Sequence, residues 1–315
     1  MSSLPQTYKA CVLDKANASW TLSDVPLKHP SKGQILAKVL ACGVCFSDIA
    51  TGAGHMGDVF PRVPGHEIIG DVVEVGEGVE NFKNGDRVGG PWHGGHDRTC
   101  RQCQRAQFQM CDNKAINGVS QDGGFAEYVL LRAEAVVRVP KELDPAEAAP
   151  LLCAGVTVFN GIRKLHVEQG NLVAIQGDDK ADFAKQLGAH HYINTKKSDP
   201  AEELTKLGGA AIIVQTAPNP KAVAPLVNGL AAEGKLLSLA PVGPAEIDTV
   251  PLVLKGASVV GWPSGHALDS EEALRFSMIH GVKCMIEKYP LDKVQDAVES
   301  LQAGKPRFRN VLVMQ

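Results

Sequence analysis

Short runs of branched apolar residues, punctuated by glycine, asparagine and aspartate, dominate the first half of the chain. Ile35–Ala41 (ILAKVLA) and Ile68–Val75 (IIGDVVEV) have the length and β-branched content of strands, and Asn81, Gly85 and Asp86 mark turns after them. Val88, Phe125–Leu131 and Ala135–Val139 continue the pattern. From about Asp144 the texture changes. Ala-rich helical stretches alternate with nearly all-apolar strands at Leu172–Gln176, Ala211–Thr216, Lys235–Leu239 and Ser258–Val260. Such strands, separated by helices, predict a parallel sheet covered on both faces. Helices are expected at Asp179–Leu187, Pro220–Ala232, Ser270–His280 and Leu291–Ala303, with Gly188 and Gly304 placed as helix-ending C′ residues. A last strand follows at Asn310–Met314. The expected fold class is α/β plus β: a β-rich domain over residues 1–155, joined again by about 285–315, and a doubly wound domain over 156–284.

Composition narrows the classes. A length of 315 residues suits two domains, and 32 basic against 35 acidic residues give a formal charge of -3. That balance offers no electrostatic reason to bind nucleic acid or an anionic membrane. The start MSSLPQTYKACVLDK has no apolar signal core, and no uncharged apolar run approaches the ~18 residues of a membrane span. The expectation is a cytoplasmic protein with neither nucleic-acid nor membrane partners. In a reducing compartment its eight cysteines are expected as core residues, metal ligands or catalysts rather than disulfides. Cys11, Cys42 and Cys284 lie in apolar contexts and read as core.

The other five cysteines carry chemistry. Asp97-x2-Cys100-x2-Cys103-x7-Cys111 puts three thiols and a carboxylate in one loop, close enough to wrap a single ion as a closed structural site. His93 and His96 stand near enough to replace Asp97 as the fourth ligand. Cys45, His66 and Cys153 are far apart in the chain, each beside glycine or in a turn. Together they offer two thiolates and an imidazole, which suit Zn²⁺ with one coordination position open. Spacing alone leaves their convergence undecided.

In these motifs the chain resembles the zinc-containing medium-chain alcohol dehydrogenase family. GVCFSD, PGHEIIGDVVEVGEGVENFKNGDRVG, the cysteine loop, DGGFAEY and PLLCAGVTVFNGI occur in the family's order over nearly the whole length. The resemblance implies a GroES-like catalytic domain followed by a Rossmann-type domain. It implies two zinc ions per chain: a catalytic one at Cys45, His66 and Cys153, and a structural one at Asp97, Cys100, Cys103 and Cys111, where Asp97 replaces the usual cysteine. Three further residues take catalytic roles by the same likeness. Asp48 would orient the His66 imidazole, Glu67 would sit beside the metal, and Ser47 would take the proton of the bound alcohol. Phe46 and Ala50 stand where many or some members carry histidine, so proton release would run through water. Phe46 and Trp92 point to an apolar or aromatic substrate. Thr157, Lys180 and Arg309 match positions near NAD(P). The activity implied is hydride transfer between a small alcohol or carbonyl and NAD(P), and oligomers are common in the family, which leaves a homo-oligomer open.

One part of the family pattern is missing. A Rossmann unit runs its first strand into G-x-G-x-x-G at a helix N-terminus, which cradles the pyrophosphate. Here Leu172–Gln176 is followed by Gly177-Asp178-Asp179-Lys180. Roughly 25 residues, about one αβ unit after strand one, are absent relative to that pattern. The literal match Gly52-Ala53-Gly54-His55-Met56-Gly57 lacks the strand–turn–helix context, since Pro61 and Pro64 follow it. The remaining strands are expected to close into a shortened five-stranded sheet. The alternative function is a zinc-binding relative without redox activity, serving as a binding protein or as a zinc Lewis-acid catalyst.

Overall fold

In the computed structural model, which describes residues 4–168, 170–175, 181–217 and 219–314, the strand Gln34–Val44 is the axis of a seven-stranded sheet. Three strands pair with it antiparallel: Ile68–Val75, Tyr128–Arg132 and Arg309–Val313. Arg87–Gly90 and Val137–Arg138 extend the sheet beyond Ile68–Val75, and Ile286–Pro290 pairs in parallel with Arg309–Val313. Ile35, Ala37 and Val39 enter a core with Phe125, Leu131 and Leu312. Phe125 is fully buried there, which stabilises the unit by about 1.5–3 kcal/mol. A register irregularity between Val39 and Ala41 then changes the parity of the strand, because one extra residue turns every later side chain to the other face. Beyond it Cys42 and Val44 join the first core, while Ala41 joins a second with Ile69, Leu152, Leu274 and Val311.

The described chain divides into two compact units, Met1–Val156 with Gly265–Gln315, and Thr157–Ser264. The return to the first unit therefore comes at Gly265 rather than at about 285. The helix Ala267–His280 accounts for the difference, since its Leu274 packs among Ala41, Ile69 and Val311 instead of on the parallel sheet.

The second unit holds a parallel sheet in the order Val173–Ile175, Ala210–Gln215, Leu230–Ser238, Ser258–Gly261. Four strands stand among the described residues where five were expected. Residues 189–194, AHHYIN, form no strand. Leu204, Val223, Leu226 and Leu230 pack on one face with Ile213 and Leu236; Ile162 and Leu165 cover part of the other, over Ile212, Val214 and Leu237. Coverage of both faces fails at the first strand, where Val173 is 37% and Ile175 64% exposed. The helix expected at Pro220–Ala232 ends early: Pro220–Val223 is capped by the Asn219 side chain, and Ala224–Gly229 tightens into a 3₁₀ turn around Pro225. Gly188 and Gly304 have φ of +95° and +65°, the left-handed conformation a C′ glycine adopts. Gly177, Asp178, Asp179 and Lys180 lie outside the described residues. No described helix is long and apolar enough to cross a membrane.

Candidate metal centres

Two groups of ligand-bearing side chains stand together in the first unit: Cys45, His66, Glu67 and Cys153, and Asp97, Cys100, Cys103 and Cys111. In each group the ligand atoms lie within 4.8 Å of one another.

The first group is assembled by strand register. Gln34–Val44 delivers Cys45 to the N-cap of the helix Phe46–Gly52. Gly43 N–H donates to Glu67 O at 3.1 Å, which sets the His66-Glu67 turn alongside the end of that strand. A Cβ on Gly43 would lie 1.8 Å from Glu67 Oε2, so this approach requires glycine. The His66 turn is itself tightly packed. Gly65 has φ +100°, and a Cβ on Gly123 would meet its carbonyl oxygen at 2.0 Å. Cys153 arrives at the end of the 3₁₀ turn Ala149–Leu152, whose four residues are all buried.

Asp48 ties these pieces together. Its Oδ2 accepts the Cys45 N–H at 2.8 Å, and its Oδ1 accepts the Gly65 N–H at 3.1 Å. The same Oδ1 stands 2.9 Å from His66 Nδ1. With Asp48 accepting from Nδ1, Nε2 is the ring nitrogen left to bind a metal. That Nε2 is buried and has no hydrogen-bond partner in the protein, and neither carboxylate oxygen of Glu67 has one. Two thiols beside an orphaned imidazole nitrogen form a donor set that fits Zn²⁺. The Cys45 thiol is held well below its ordinary range, first by a hydrogen bond from Cys153 and, against burial, by His66 and Arg309. Burial pushes the Glu67 carboxyl up to about 7, against the pull of Arg309.

Arg309 shows what the sequence pattern left hidden. Expected near the cofactor, it also meets the metal group: its guanidinium lies 3.3 Å from Glu67 Oε1 and donates to Val44 O at 3.3 Å. The register Asn310↔Val44 puts it there. The strand pattern of the last residues says nothing about this neighbour. Thr157 is half-buried on the helix Ala154–Lys164, in the second unit, and Lys180 falls outside the described residues. Ser47 Oγ lies 3.8 Å from Cys45 Sγ, and Trp92 sets its ring edge-on to His66 at 4.9 Å. Gly52–Gly57 follows a helix instead of opening one, so it has no phosphate-loop geometry.

The second group matches the local spacing. Cys100 Sγ and Cys111 Sγ are 3.8 Å apart, and Asp97 N–H donates to Cys111 Sγ at 3.5 Å. Asp97, not His93 or His96, completes the group. The histidines stack instead: His93 on His96 at 5.3 Å, His96 on Phe108 at 4.3 Å, with Phe108 edge-on to His266. Of the three cysteines read as core, Cys11 and Cys42 are fully buried, whereas Cys284 is half-buried.

His93 carries a pH prediction. It is 2% exposed, and neither of its ring nitrogens has a partner. Burial, then the charges of His96, His266 and Arg132, push it down to about 3. An unfolded histidine titrates near 6.5, so between about 6.5 and 3 the unfolded chain binds the extra proton. This contribution is fully present above about pH 6.5 and is lost as pH falls, by up to about 1.4 kcal/mol per pH unit. Urea midpoints between pH 7 and 4 should therefore fall less steeply in His93→Leu, by about one proton. Equal slopes in both proteins would exonerate His93.

Comparison with known proteins extends these geometries. Residues 31–141 match the family model "Alcohol dehydrogenase GroES-like domain" and residues 170–278 match "Zinc-binding dehydrogenase". Alcohol dehydrogenase patD of Penicillium expansum is 48% identical over 338 residues, covering 99% of this chain and 99% of that protein. The chain has only 315 residues, so at least 23 of those 338 aligned positions face gaps in it. That is close in size to the shortfall of roughly 25 residues expected from the Rossmann pattern. A cinnamyl alcohol dehydrogenase of Sorghum bicolor superposes with a TM-score of 0.88 at 26% identity, covering 98% of this chain and 97% of its own. The fold recurs in a Helicobacter pylori protein solved with NADP(H), with a TM-score of 0.85 at 23% identity, covering 98% and 99%. At 48% identity over nearly the full length, and with both domain models matched in order, the chain belongs to the zinc-binding alcohol dehydrogenase family.

Proposed function

We infer that this protein is a zinc-dependent alcohol and aldehyde oxidoreductase that moves hydride between a small alcohol or carbonyl and NAD(P). The observation that carries this reading is the orphaned, buried Nε2 of His66 beside Cys45 and Cys153, in a chain of this family. Zinc bound there supplies Lewis acidity, lowering the pKa of a coordinated alcohol or polarising a carbonyl. The protein's own residues do the rest. Asp48 keeps the proton on His66 Nδ1, so Nε2 faces the thiols as a ligand. Arg309 holds Glu67 by its Oε1, which leaves the fourth position to substrate. Ser47 Oγ, beside Cys45, takes the alcohol proton and passes it to water, since Ala50 offers no titratable relay. Trp92, edge-on to His66, forms an aromatic wall suited to an apolar or aromatic alcohol. Asp97, Cys100, Cys103 and Cys111 would hold a second zinc, which would tie that loop together and bring the count to two per chain.

NAD(P) is the hydride partner of this reading, and Thr157, Lys180 and Arg309 are its proposed contacts. Close likeness to an alcohol dehydrogenase over 99% of the chain favours redox chemistry over a zinc protein without it. The test joins two measurements on one purified sample: zinc per chain by atomic emission, and NADH or NADPH binding by nicotinamide fluorescence. Saturable binding with about two zinc ions is expected. A zinc-loaded protein that binds neither nucleotide at millimolar concentration would end the redox reading.

A further inference from the structure

We propose that Asn113 is a positioning residue for the metal of the cysteine loop, and that it leaves Asp97 one free lone pair, on Oδ2, as the fourth ligand. This rests on the reading of that loop as a metal site. A thiolate sulfur accepts a metal from many directions and needs no brace. A carboxylate is different: it has two oxygens and about four acceptor directions, and swings about its χ2 torsion unless they are engaged.

Around Asp97 the N–H donors of the loop engage three of the four, and the thiol of Cys103, itself one of the ligand group, faces the carboxylate. Oδ1 accepts the N–H of Thr99 at 2.8 Å and the N–H of Cys100 at 3.0 Å. Oδ2 accepts Asn113 Nδ2–H at 2.7 Å. By this count the direction left over belongs to Oδ2, and a carboxylate oxygen of Asp97 lies within 4.8 Å of the thiols of Cys100, Cys103 and Cys111. Two of the three donors are backbone groups that any residue at positions 99 and 100 would supply. Asn113 is the side-chain donor from outside the ligand group, and it is the one of the three that holds Oδ2. It also sits two residues past Cys111, whose sulfur takes the Asp97 N–H at 3.5 Å. Asn113 and that N–H thus clip Asp97 to the Cys111 segment from both sides.

Groups that orient a ligand from behind typically change metal affinity by about 10–100-fold when removed. The Asn113–Asp97 bond is exposed, which sets the expected effect near the lower end. Zinc transfer to a chromogenic chelator, 4-(2-pyridylazo)resorcinol, reads it directly, with the loop's kinetic phase identified as the one lost in Cys100→Ser. Asn113→Ala should accelerate that phase about tenfold, and Asn113→Asp, which keeps the shape but lacks the donor, at least as much. Asp97→Cys removes the need for orientation, so adding Asn113→Ala to it should change nothing. Equal release from wild type and Asn113→Ala overturns the proposal, as does an equal acceleration in the Asp97→Cys background. If Cys100→Ser leaves total zinc unchanged, the loop holds no metal, and the underlying reading falls instead.

Discussion

Cys45→Ser is expected to lower the zinc content from two ions per chain to one and to slow alcohol oxidation by about a thousandfold. Lewis-acid stabilisation of a developing alkoxide contributes several kcal/mol, and about 4 kcal/mol corresponds to that factor. Serine keeps the N-cap position of the helix Phe46–Gly52 and the backbone N–H that Asp48 accepts, so the fold around it persists. What is lost is a thiolate that Cys153, His66 and Arg309 hold in its charged form. The cysteine loop, built from its own local segment, is expected to keep the second ion. Zinc emission and steady-state rates on the same sample decide the matter, and an unchanged zinc count in Cys45→Ser would sink the assignment of the catalytic site.

Asp48→Ala should cost about 4 kcal/mol of stability and weaken zinc binding by about 10–100-fold. Asp48 is 1% exposed, and three donors converge on it: the N–H groups of Cys45 and Gly65, and His66 Nδ1. Alanine leaves all three without an acceptor in a dry site, where each unmade bond costs about 1–3 kcal/mol. Asp48→Asn should recover part of the stability, since its amide oxygen can still accept two of them. It should recover little zinc affinity, because a neutral amide polarises the imidazole less than a carboxylate. Urea unfolding and chelator competition measure the two effects separately. Full zinc affinity in Asp48→Asn would show that hydrogen-bond geometry alone, without the charge, positions His66.

The metal groups were unevenly legible. The cysteine loop could be read from spacing, because its ligands lie within fifteen residues of chain and wrap one ion with no help from elsewhere. Asp97 was legible as a ligand candidate, yet Asn113 was not: an asparagine two residues past a cysteine carries no pattern until the loop folds back. Cys45, His66 and Cys153 were recognisable through family motifs, while the reason they meet lies in the register of Gln34–Val44 against its neighbours. The same register carried Arg309 beside Glu67, a partner that no periodicity in RFRNVLV foretells.

By itself the sequence determined the strands and helices with strong local patterns, the change from β-rich to α/β texture near Asp144, and the two sets of metal-binding residue types. Local periodicity and side-chain chemistry suffice for these, since neither depends on distant residues. Tertiary structure decided which sheet each element serves. The helix Ala267–His280 looks from its sequence like another cover for the parallel sheet, but Leu274 finds its apolar partners in the first unit, and the chain returns there at Gly265. Val173 and Ile175 read as a buried strand, yet burial needs a neighbour, and among the described strands Val173–Ile175 pairs with Ala210–Gln215 alone, at the edge of the sheet. A residue's apolarity is its own property, whereas its burial belongs to whatever packs against it.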